Sequence, residues 1–119
     1  MINEYLESLI TNDILEGQPS GLTRGEVNVL RAYIESKRNG YEELVLTEIC
    51  WEIEWPDIIA TIRKAKLKTF LMADHSSALL ETLHTFIEAG FLVTGAKTVT
   101  KENPTQWDHP IKALEIKVN

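Results

Sequence analysis

Ser76-Ser77-Ala78-Leu79-Leu80-Glu81-Thr82-Leu83-His84-Thr85-Phe86-Ile87-Glu88-Ala89-Gly90-Phe91-Leu92-Val93 is the stretch whose reading decides the fold. Leu79, Leu80, Leu83, Phe86 and Ile87 recur at helical spacing, and Gly90 supplies the left-handed stop that ends a helix. Asp74, His75, Ser76 and Ser77 precede the stripe with several side-chain oxygens able to cap it. The spacing predicts a helix over 76–89 that buries Leu83, Phe86 and Ile87 and turns Ser77, Glu81, Thr82, Thr85 and Glu88 outward. Beyond it, 91–101 and 111–118 are rich in β-formers, separated by the loop 102–110. Leu114, Ile116 and Val118 alternate with Glu115 and Lys117, so the two segments should pair as an antiparallel hairpin with the aliphatic side chains facing the helices.

Upstream, Tyr5, Leu6, Leu9 and Ile10 predict an N-terminal helix within 1–16, and the turn-rich segment 17–22 reads as a hinge before a core of 23–119. Thr23-Arg24-Gly25-Glu26 has the form of a capping box, in which the hydroxyl and the carboxylate each satisfy an amide of the first turn. Val27, Leu30, Tyr33 and Ile34 continue it as a helix over 23–38, stopped by Asn39-Gly40. Leu44-Val45-Leu46 reads as a short strand, Thr47 caps a helix to about Ile53, and Pro56 suits the first turn of another helix reaching about Lys68. The fold class expected is α+β, mainly α, in one domain of 119 residues.

The stretch 76–93 resembles the last helix of a winged helix-turn-helix running into its first wing strand. Thr47-Glu48-Ile49-Cys50-Trp51-Glu52-Ile53-Glu54-Trp55-Pro56-Asp57-Ile58-Ile59-Ala60-Thr61-Ile62-Arg63 looks like a helix-turn-helix pair, with Cys50 where the family favours Ala and Glu54 where it prefers Gly. The resemblance implies a winged-helix-like helical domain whose C-terminal antiparallel β-hairpin is the wing. It also implies binding to DNA.

Composition narrows the classes. At 44% apolar and 25% charged residues the chain is an ordinary globular one. No apolar run approaches the ~20 residues that cross a bilayer and no basic flank marks a secretory signal, so a cytoplasmic protein without a membrane segment is expected. The net charge of −6 is unevenly spread, with twelve acids and four bases in residues 1–57 and six acids and eight bases in 58–119. The lone Cys50 lies among Glu48, Glu52 and Glu54, which disfavour a thiolate, and reads as a core residue. His75, His84 and His109 lack metal-ligand spacing. No nucleophile elbow or phosphate loop is present, so neither a metal, a cofactor nor a catalytic residue is expected, and the chain does not read as an enzyme.

Two functional readings remain. In the first, Arg63, Lys64, Lys66 and Lys68 hold phosphates while Lys97, Lys101, Lys112 and Trp107 of the hairpin meet the flanking groove, as in a transcription regulator or replication accessory. The plain alternatives are a solvated basic helix face and a Trp107 folded back over the hairpin. In the second, Glu42, Glu43, Glu48, Glu52 and Glu54 present an acidic surface to a basic protein partner, as in an inhibitor or nucleic-acid mimic of phage or mobile-element type. A homodimer is compatible with either.

Overall fold

In the computed structural model, residues 1–18, 21–47, 55–73 and 76–119 are described. The chain is mixed α+β and mainly helical, as expected. Two short N-terminal helices, α1 (Glu4–Leu9) and α2 (Asn12–Glu16), precede the longest helix, α3 (Arg24–Arg38). The order then runs β1 (Val45–Leu46), α4 (Trp55–Lys64), β2 (Thr69–Met72), α5 (Leu79–Glu88), β3 (Leu92–Val99) and β4 (Ile111–Lys117).

The single N-terminal helix expected from spacing is split because Thr11 takes an extended backbone and its hydroxyl accepts the amide of Ile14 at 3.4 Å, starting α2 afresh. The capping box of α3 is complete: the Thr23 amide donates to Glu26 Oε1 at 2.9 Å and the Glu26 amide to Thr23 Oγ1 at 3.2 Å. The helix expected to reach Lys68 ends at Lys64, and Lys66 turns the chain with a left-handed φ of 56°. The first helix of the 47–63 pair, with Glu48, Ile49, Cys50, Trp51, Glu52, Ile53 and Glu54, lies outside the described residues, as do Asp74 and His75.

The hairpin forms as anticipated, β3 antiparallel to β4, with Ala96 opposite Leu114 and Val93 opposite Ile116. The structure adds β2, which lies between α4 and α5 in the chain. It pairs parallel to β1 and antiparallel to β4, giving the sheet order β1-β2-β4-β3. Phe70 and Met72 enter the main core beneath the helices, while Leu71 joins Tyr41, Val45, Ala73 and Ala113 in a smaller cluster on the opposite face. Ile116 is fully buried in the main core, and Leu114 and Val118 pack against it. Three rings stitch β2, α5 and the start of β3 together: Phe70 meets Phe86 at 5.8 Å and Phe91 at 6.0 Å, in edge-on geometry.

Helix α5 is rotated from the expected face. Thr82 and Phe86 are buried, Leu79 and Leu83 are half-buried, and Leu80 and Ile87 face solvent. A buried threonine is tolerable here because its hydroxyl donates to the Ala78 carbonyl at 2.9 Å.

Candidate functional site

The basic residues singled out as DNA contacts divide into engaged and unengaged groups. Arg63, near the end of α4, donates from Nη2 to the Ala89 carbonyl at 2.6 Å and to Asn119 Oδ1 at 3.0 Å, and its guanidinium lies 5.2 Å from the centre of the Phe91 ring. It ties α4 to the end of α5 rather than offering a free cation. Lys97 on β3 sits between two carboxylates, 2.9 Å from Glu43 and 2.6 Å from Glu115. Hydrogen bonds to Glu115 and then Glu43 push its ammonium well above the usual lysine range. Lys101 pairs with Asp108 at 3.1 Å. Lys64, Lys66, Lys68 and Lys112 are exposed and keep their ammonium groups in water. The loop holds Trp107 outward at 78% exposure, contrary to a ring folded back on the hairpin. The reason is local: Thr105 donates from both its amide and its hydroxyl to Asp108 Oδ2 at 3.0 Å, forming a braced turn that lifts the indole off the sheet. Those bonds, with the Lys101 ammonium, hold the Asp108 carboxyl below its ordinary range.

The acidic set divides in the same way. Glu42 is exposed, whereas Glu43 accepts from Thr69 Oγ1 at 2.7 Å as well as from Lys97. The others fall outside the described residues. Glu43, Glu115, Lys97 and Thr94 therefore form a satisfied polar network across the open face of the sheet, beside a groove of about 540 Å³ lined by Tyr41, Leu71 and Val99. Lys97 is shared there between the two carboxylates.

A different surface emerges from the rotation of α5. Leu80 is 79% exposed and Ile87 is 52% exposed. Lying seven positions apart, they share one helix face with His84 between them. Glu81 and Glu88 flank that face, and His84 Nδ1 lies 2.7 Å from Glu88 Oε1. Leu80, Glu81, His84 and Glu88, with Ala78 and Thr85 but without Ile87, line a groove of about 650 Å³ whose other wall is Trp55, the first residue of α4. Trp55 is buried, and among the described residues its indole Nε1 has no hydrogen-bond partner. Sequence reasoning missed this surface, although a signal was present: adjacent Leu79 and Leu80 make the apolar stripe wider than one buried face requires.

Among the described residues no group of three His, Cys, Asp or Glu could hold a metal ion. No helix among the described residues is long and apolar enough to cross a membrane.

Taken together, fold and surface define a small α+β domain with an unpartnered helix face and an acidic rim. The chain belongs to the family described as Domain of unknown function (DUF7698), whose model matches residues 28–118. That span takes in α3 from Asn28 onward, all four strands, both groove-forming helices and the braced loop. No curated protein and no solved structure matches the chain.

Proposed function

We propose that the chain is a non-catalytic protein-binding module that uses the outward face of α5 to hold a partner. The observation that carries this reading is the exposure of Leu80 and Ile87 on a helix whose inner face is already filled by Thr82 and Phe86. Large aliphatic side chains displayed together on a rigid helix beside a concave wall favour a protein surface over a nucleic acid. Carboxylates at Glu81 and Glu88 would repel a phosphate backbone and attract a basic partner.

The experiment compares capture of partners by the wild type with capture by Leu80→Ser/Ile87→Ser, and with a Lys64→Ala/Lys66→Ala/Lys68→Ala variant. Loss of a partner with the first variant and retention with the second supports the reading. The reverse pattern argues against it.

A second reading, the DNA-binding regulator or replication accessory, draws on Lys64, Lys66, Lys68 and Lys112, which remain exposed, and on the displayed Trp107. Its contact set is reduced, since Arg63, Lys97 and Lys101 hold internal partners. Titration of a generic duplex at low salt separates the two. If DNA binds through these lysines, the triple alanine variant flattens the slope of log affinity against log salt by up to about three.

A further inference from the structure

We infer that the partner element received by α5 is a basic amphipathic helix, laid along the Leu80–Ile87 stripe with its apolar face down and its cations over Glu81 and Glu88. This inference rests on the protein-binding reading and narrows it to one kind of occupant.

The stripe has the length of a helix contact. Two positions seven apart on α5 are separated by about 10 Å along the axis, two turns, so a partner helix with aliphatic residues at i and i+7 can match both anchors at once. Between them the exposed His84 makes the surface partly polar, and the groove towards Trp55 gives a third recess for a side chain at i+3 or i+4.

Charge selects the occupant. A second copy of this chain could offer its own Leu80 and Ile87, but that face also carries Glu81 and Glu88, and pairing it with itself would bring four carboxylates together around one small apolar seam. No arginine or lysine of α5 is available to relieve them, because the helix has none. A helix bearing Lys or Arg beside its apolar stripe reverses that repulsion into attraction.

Trp55 offers a reporter at the edge of the same surface. A buried indole N–H without a partner is costly, since folding strips its water without replacing the hydrogen bond. Trp55 itself lines the groove beside the stripe, so a helix bound there is expected to move the indole N–H resonance.

The test uses full-length protein labelled with 15N and a synthetic 14-residue helical peptide with Leu at i, i+3, i+4 and i+7 and Lys on its flanks. Two control peptides accompany it, one with Glu replacing every Lys and one with two central prolines that forbid the helix. Binding of the basic helix is expected to shift the amides of residues 79–88 and the Trp55 indole N–H, with affinity falling at least tenfold in Glu81→Lys/Glu88→Lys and in Leu80→Ser. The helix inference is overturned, with the protein-binding reading left standing, if the acidic or the proline peptide shifts the same amides with equal affinity. Both fall if no peptide perturbs α5 while a 20-base-pair duplex perturbs Lys64, Lys66 and Lys68. Because Leu80, Glu81 and Glu88 are exposed, these variants are expected to keep the wild-type spectrum elsewhere, and an intact spectrum with unchanged peptide affinity counts against the inference.

Discussion

The hydroxyl of Tyr33 accepts the backbone amide of Asn3 at 2.9 Å, fastening the entry to α1 onto the middle of α3. The same hydroxyl donates to Glu7 Oε1 at 2.8 Å, and Glu7 also meets the Lys37 ammonium, which lies over the Tyr33 ring. Asn3 in turn donates from Nδ2 to the Ala65 carbonyl at 2.9 Å, so α1 bridges α3 and the end of α4. Tyr33→Phe removes the acceptor of the Asn3 amide while leaving the ring in place. A loss of about 1–3 kcal/mol is expected in a denaturant melt, with faster hydrogen exchange at Leu6 and its neighbours. Unchanged exchange in α1 would refute the clasp.

The clasp should weaken in acid. Hydrogen bonds from Lys37 and then Tyr33 hold the Glu7 carboxyl below its ordinary range. A carboxylate with a depressed folded pKa adds stability above its unfolded pKa, and that addition is lost as pH falls through the folded value. Melting temperature measured downward from neutral pH should therefore drop less steeply in Lys37→Met than in wild type. Parallel acid limbs in the two proteins would contradict this.

Core truncations should follow burial rather than the sequence stripe. Phe86→Ala, which removes a fully buried ring from the Phe70–Phe91 cluster, is expected to cost about 3–5 kcal/mol. Leu83→Ala, at a half-buried position, should cost about 2 kcal/mol, and Leu80→Ala no more than about 0.5 kcal/mol. A Leu80 loss approaching that of Phe86 would mean the helix is seated on its other face.

On the open sheet face, Lys97 is first among the groups that lower the Glu115 carboxyl, ahead of the Thr94 hydroxyl. In Lys97→Met the Glu115 side-chain carbon should titrate at a higher pH by NMR, moving towards the ordinary carboxylate range. An unmoved titration would show that Thr94 alone holds it down.

Much of the architecture was readable because local rules coincided with the tertiary outcome. The capping box at Thr23 and Glu26 starts α3 in sequence and in space, and strict alternation through Leu114, Ile116 and Val118 matches a hairpin with one covered face. β2 was illegible because Phe70-Leu71-Met72-Ala73 is buried on both faces, which erases the period-two signal of a strand. The face of α5 was misread for a related reason: a threonine that bonds its own helix can go inside and release a leucine to the surface. The candidate site depended on pairings that spacing cannot reveal. Lys97 meets Glu43 across 54 residues of chain, and Arg63 meets Asn119 across 56. A count of basic residues treats both as free cations, whereas only packing decides which ones are spent inside.

The central place of β2 has a kinetic consequence. A β3–β4 hairpin can zip from its own loop, but β2 must be caught between Val45 upstream and Ile116 far downstream before the sheet closes. Each capture pays loop-closure entropy ahead of any contact energy, so the rate-limiting barrier of folding should contain this four-residue strand rather than the helices. A conservative substitution at Phe70 would then slow refolding far more than it speeds unfolding, whereas one at Leu83 would do the opposite.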